Sequence, residues 1–164
     1  VLSPDIDETP IKNEAPKKLA LRLSVEKAKV IYQANKDNYV LAADTVVGCG
    51  QIILDKAEKI QDAEIFLNKL SGRRHRVYGG ITVISPEGKI YTKLCDTLVQ
   101  FKPLSQSEIA DYLQSGEWEG KAGGYGIQGT AGAFVKYMAG SYSNVVGLSL
   151  YDTMKILKAS QYLK

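Results

Sequence analysis

Asp44 stands inside an otherwise apolar run, Leu41-Ala42-Ala43-Asp44-Thr45-Val46-Val47. A carboxylate buried in such a run is costly unless a cation or a metal partners it. Asp7 and Glu8, with Asp5 close by, lie on a polar upstream segment that can fold over it. Mg²⁺ is commonly held by one or two carboxylates together with substrate phosphates, so acids on two separate elements suit metal-assisted phosphate chemistry. Equally, Asp44 can close a strand end while Asp5, Asp7 and Glu8 stay solvated, as acids on loops often do.

Cations and glycines carry the remaining signals. Lys69, Arg73, Arg74, His75 and Arg76 gather near a helix end. Arginine forks match phosphate oxygens, and the same charges also favour a helix C-terminus. Lys56, beside Asp55, is uninformative alone. Within Lys121–Gly129, Gly124, Gly126 and Gly129 match G-x-G-x-x-G by letter. Neither a strand before it nor a helix after it is legible, so a dinucleotide site is disfavoured. The glycines can offer backbone N–H groups to an anion or simply make a tight turn. Gln128 adds an amide that both donates and accepts, which suits reading a base edge.

Counts exclude other chemistries. His75 is the single histidine, so a zinc site of the H-E-x-x-H type is excluded, and no G-x-S-x-G elbow is present. Cys49 and Cys95 are isolated; they fit reduced thiols in a cytoplasmic protein rather than a disulfide framework or zinc cluster. With 21 Lys and Arg against 18 Asp and Glu, the net charge of +3 is too mild to imply nucleic acid. No apolar run approaches the ~20 residues of a membrane span. The 164 residues suit one domain, 1–164.

The elements that must position these residues follow from periodicity. Pro16 can open a helix running from Lys17 to about Gln33. Tyr39–Val47 reads as a buried strand and Gln51–Leu54 as a second. Asp62–Leu70 reads as a helix capped by Asp62. Arg76–Ser85 and Lys89–Phe101 flank the turn Pro86-Glu87-Gly88, predicting a hairpin. Ser105 and Glu108 form a capping box for a helix to Leu113. Ala133–Met138 and Asn144–Leu150 read as short strands, and Asp152–Tyr162 as a terminal helix with Met154, Leu157 and Tyr162 on its apolar side. The mixture predicts an α/β layered domain around a mixed sheet.

Taken in order, Asp5-Ile6-Asp7-Glu8, Arg22–Ala28, Ala43-Asp44-Thr45-Val46-Val47, Leu54-Asp55-Lys56, Leu70–His75, Lys121–Gly129 and Gly140–Leu148 resemble the Maf family of nucleoside triphosphate pyrophosphatases. The resemblance spans nearly the whole chain. It implies hydrolysis between the α- and β-phosphates of a nucleoside triphosphate to a monophosphate and pyrophosphate, with a divalent cation, Mg²⁺ or Mn²⁺. It makes Asp44 the proton acceptor, Lys56 the family lysine, and Asp7 with Asp44 the metal or water partners. Thr45 and Gln128 bear on substrate choice, and Arg73 and Lys121 join them as substrate-binding groups. The Gln form resembles the branch acting on dTTP and UTP.

The implied fold is an elongated mixed β-sheet flanked by helices, with two lobes and a central cleft, often in a homodimer. A cytoplasmic enzyme without nucleic-acid or membrane partners is expected. The alternative function is a non-catalytic, nucleotide-binding regulator of cell division and septum formation. Against the family pattern, the opening strand and its Ser-x-Ser-Pro-Arg-Arg phosphate loop have no counterpart from Val1 onward: either the sequence starts beyond them or the molecule lacks them, and only in the second case are an edge of the core and a phosphate clamp gone. Ala57 stands where Pro is usual, Gly79 where Thr is common, and Ser149 where Pro is usual.

Overall fold

In a computed structural model, which describes residues 1–2 and 4–163, five strands form one sheet in the order β2-β1-β3-β4-β5. These are β1 (Val40–Cys49), β2 (Ile52–Leu54), β3 (Arg74–Ile84), β4 (Ile90–Phe101) and β5 (Val135–Ala139). The helices are α1 (Pro16–Gln33), α2 (Ile60–Leu70), α3 (Gln106–Ser115), α4 (Tyr142–Val146) and α5 (Leu150–Ala159), with a 3₁₀ turn at Thr130–Phe134. The α/β layering matches expectation. The sheet differs in one respect: among the described residues every pairing is antiparallel, where a mixed sheet was expected. The β1–β2 and β3–β4 connections are hairpins, and neither α2 nor α3 carries the chain across to a parallel neighbour.

Pleating assigns each residue of β1 and β3 to one of two faces. Val40, Val46 and Ile84 meet α1 through Leu19, Leu23 and Ala28. Val47 and Val77 lie on the other face with α2, α3 and the glycine-rich segment, in a core holding Leu67, Leu70, Phe101, Ile109, Tyr112 and Tyr125. Further along that face, Ile81 and Val83 pack on Ile156 of α5.

Two adjacent glycines let helices approach from both sides. At Gly80 an added Cβ would stand 2.1 Å from the carbonyl oxygen of Ala20 in α1. At Gly79 it would stand 2.0 Å from Oδ1 of Asn144 in α4. Asn144 is fully buried, and its Nδ2 donates to the Val77 carbonyl at 3.0 Å and to Thr97 Oγ1 at 3.1 Å. The residue at 79 is therefore tied to the seat of α4.

Four local expectations are corrected. Asn144–Leu150 is not a strand: Ser141 caps a short helix by accepting from the Asn144 N–H at 3.2 Å, and Asn144 is drawn inward by its amide bonds. Asp62 is not the cap of α2 but its third residue, with its carboxylate accepting from the Lys59 N–H at 3.2 Å. Before β5 the chain makes a 3₁₀ turn through Ala133. In α5, Ile156 is buried and Met154 exposed, so the helix is rolled relative to the expected face. The capping box of Ser105 and Glu108 on α3 is present. Among the described residues no helix is long and apolar enough to cross a membrane.

Candidate active site

β2 pairs with β1 only at Val47–Cys49. Among the described residues, the outer edge of β1 from Val40 to Val46 carries no neighbouring strand. That edge is where Asp44 and Thr45 serve one cleft. As consecutive strand residues they point to opposite faces, Asp44 towards α1 and Thr45 towards α4. Both nevertheless line one cleft of about 510 Å³, with Lys27, Lys56, Glu117, Lys121, Tyr125 and Gln128. This volume lies in the range of small-molecule sites.

Asp44 is 8% exposed and is met by the ammonium of Lys27, from α1. The same ammonium lies 2.7 Å from Glu8 Oε1, and Glu8 Oε2 accepts from Lys56 Nζ at 2.6 Å. Asp44, Lys27, Glu8 and Lys56 thus form an alternating line of charge, and Asp44, Lys27 and Lys56 line the cleft. Burial pushes the Asp44 carboxyl up; Lys27 pulls it back only in part, and it stays above its ordinary value. Burial also pushes Glu8 up, but its bonds to Lys27 and Lys56 outweigh that and hold it below the usual range. Lys27 is pushed down by burial and raised further by its two carboxylates, so it is firmly protonated.

Lys27 draws no notice for chemistry in the sequence, and Glu8 stands there with two other acids, Asp5 and Asp7. A signal for Lys27 was present: Leu19, Leu23 and Lys27 follow at four-residue steps, so the cation continues the buried stripe of α1. Asp7, expected as a metal partner, is exposed and accepts from the Thr9 N–H at 2.9 Å. Its neighbour Glu8 reaches Lys27 instead. Arg73 is exposed and is not among the residues lining the cleft. Within the basic cluster, Arg76 is paired with Asp96 at 2.7 Å and His75 is buried.

Lys121 and Gln128 both line the cleft and are exposed. Their segment is stitched to the chain leaving β2. Ala57 N donates to the Lys121 carbonyl at 3.1 Å, Gly120 N to the Ala57 carbonyl at 2.9 Å, and Gly123 N to the Leu54 carbonyl at 3.1 Å. A proline at 57 would delete the first of these bonds. The N–H groups of Gly124 and Gly129 bond within the segment, and that of Gly126 donates to Tyr112 Oη at 3.3 Å. These glycines make turns rather than a cradle of free donors. Below them, His75 Nε2 and Tyr125 Oη share a hydrogen bond of 2.8 Å, and burial pushes the imidazole down to about 4.

Among the described residues no three His, Cys, Asp or Glu side chains gather as a ready-made metal cage. Asp44 and Glu8 nevertheless converge on a single point, now held by the Lys27 ammonium. The Asp44 oxygen that this ammonium leaves free suits Mg²⁺ or Mn²⁺ when substrate phosphates complete the ligand set.

The cleft beside β1 thus holds a buried carboxylate flanked by lysines. The family model described as Maf-like protein matches residues 1–160, and the chain belongs to that family. A dTTP/UTP pyrophosphatase of Mesorhizobium japonicum is 51% identical over 168 residues, covering 99% of this chain and 81% of its own length. The protein of the same name from Rhizobium etli is 54% identical over 159 residues, covering 93% and 77%. That of Paramagnetospirillum magneticum is 53% identical over 152 residues, covering 93% and 80%.

Proposed function

We propose that this chain hydrolyses dTTP and UTP to the nucleoside monophosphate and pyrophosphate. The observation that carries the reading is the charge line Asp44–Lys27–Glu8–Lys56, of which Asp44, Lys27 and Lys56 line a nucleotide-sized cleft. The names of the relatives supply the substrate class.

In this reading water attacks the α-phosphorus. A new P–O bond forms, the bond from that phosphorus to the bridging oxygen breaks, and pyrophosphate leaves. Asp44 takes the proton of the attacking water. Its carboxyl, raised by burial, is a better base than a solvated aspartate. Lys27 and Lys56 face the developing negative charge from fixed positions, which favours the transition state more than the ground state. Lys121 extends the cationic wall. Thr45, whose hydroxyl lies 3.4 Å from the Gly147 carbonyl, and Gln128 contact the nucleoside. A divalent cation, held by the Asp44 oxygen that the Lys27 ammonium leaves free together with the substrate phosphates, would supply charge neutralisation for those phosphates.

The test is pyrophosphate release from dTTP, UTP, CTP and ATP, with Mg²⁺ or Mn²⁺, by the parent and by Asp44→Asn. Turnover of dTTP and UTP that falls about a hundredfold or more in the variant supports the reading. Undiminished turnover by Asp44→Asn, or a folded parent silent on every triphosphate, defeats it.

A further inference from the structure

We propose that Glu117 is a positioning residue that fixes the pose of Gln128 and thereby the affinity for the nucleobase; this rests on the hydrolysis reading above. Gln128 sits on an exposed turn. The chain before it is anchored, since Tyr125 is held by His75, Gly126 N–H by Tyr112, and Ile127 is buried. The chain after it is held by Glu117. Its Oε2 accepts from the Thr130 N–H at 2.7 Å, and its Oε1 accepts from the Thr130 hydroxyl at 2.7 Å.

This two-pronged grip leaves the turn little lateral freedom. A Cβ on Gly129 would stand 2.1 Å from Glu117 Oε2, so the carboxylate packs directly against the residue that follows Gln128. Glu117 is itself braced. Its N–H donates to Ser115 Oγ at 3.2 Å, and the next residue, Trp118, is buried with its indole N–H donating to the Leu113 carbonyl at 2.9 Å.

The chemistry of the cleft separates two ends. Lys27 and Lys56 suit the phosphate tail and neutralise the Asp44 and Glu8 carboxylates beside them, whereas among the described residues the Glu117 carboxylate meets Thr130 and no cation, and such a carboxylate repels phosphate. Glu117 therefore marks the nucleoside end, beside the one amide in the segment. An amide reads a base only when its donor and acceptor are held at the right height and angle. Asp44, Lys27, Glu8 and Lys56 belong to other elements, so losing the Glu117 grip should weaken binding without disabling the chemical step.

The experiment is steady-state kinetics with UTP and dTTP on the parent, Glu117→Ala, Glu117→Gln and Thr130→Val. Glu117→Ala is expected to raise KM about tenfold while kcat stays within about threefold. Glu117→Gln is expected to return KM to within about threefold of the parent, because its carbonyl accepts the Thr130 N–H while its amide donates to the Thr130 hydroxyl. An unchanged KM in Glu117→Ala, or a parallel fall of kcat with no rescue by Gln, overturns the proposal while leaving the hydrolysis reading intact. If Glu117→Ala does not fold, Thr130→Val decides: it deletes one prong at an exposed site, and an unchanged KM overturns the proposal. A parent that turns over neither nucleotide defeats the hydrolysis reading and this proposal with it.

Discussion

Asp44 on β1 stands directly opposite Gly80 on β3, and the bareness of Gly80 lets α1 lie close enough for Lys27 to meet the Asp44 carboxylate. Gly80→Ala would drive a methyl into the Ala20 carbonyl, a backbone atom that no rotamer change can move. We expect a loss of about 1–3 kcal/mol in denaturant unfolding. Pyrophosphate release should fall further than the folded fraction, because lifting α1 parts Lys27 from Asp44. A variant as stable and as active as the parent would show that α1 has room to spare.

Lys27→Met keeps much of the side-chain volume and removes the ammonium shared by Asp44 and Glu8. About a hundredfold loss of pyrophosphate release is expected, in line with deleting one fixed charge from a transition-state site. Turnover within about twofold of the parent would assign Lys27 a purely structural part.

His75 sets a pH signature. As the only histidine, it is buried neutral and pushed down to about 4 from an ordinary 6.5. Between those values the unfolded chain binds a proton that the folded chain refuses. Stability should therefore fall as pH drops from about 6.5 towards 4, by at most ~1.4 kcal/mol per unit. Asp44, raised by burial, acts in the opposite sense, so the comparison of interest is with His75→Phe. That variant is expected to show a flatter stability profile over this window, measured by denaturant midpoints at each pH. An identical slope in parent and variant would reject the assignment.

Ser105 caps α3 by accepting from the Glu108 N–H at 3.2 Å. Ser105→Ala should cost about 1 kcal/mol in unfolding free energy. It should leave KM and kcat for UTP unchanged, since Ser105 is not among the cleft-lining residues. A change in KM would mean that α3 transmits strain to Glu117.

The long amphipathic helices, the β3–β4 hairpin and the α3 capping box were legible because each is written locally, in a 3.6-residue stripe, a turn triplet or a cap. Asp44 and Gln128 draw notice by residue type and setting alone, whereas Thr45 and Lys56 take roles only from the family resemblance. What escaped was written in distant partners. Asn144–Leu150 looks like a strand until the Asn144 amide finds Val77 and Thr97, more than forty residues away. Glu8 and Asp7 are adjacent acids of nearly equal appeal, and only the path of the segment past Lys27 and Lys56 separates them. Glu117 carries no motif at all; its part depends on Thr130 lying within reach of its carboxylate.

Gly79 has no cleft-lining side chain, yet it helps set the width of the cleft. Among the described residues Asn144 Oδ1 has no hydrogen-bond partner, and it rests where a side chain at 79 would stand. Any larger residue there must displace α4, and with it Gly147, the acceptor for Thr45. Positions 79 and 144 are thus free to vary only as a pair. A chain that changed them together could remodel its nucleotide preference through a residue that never meets the nucleotide.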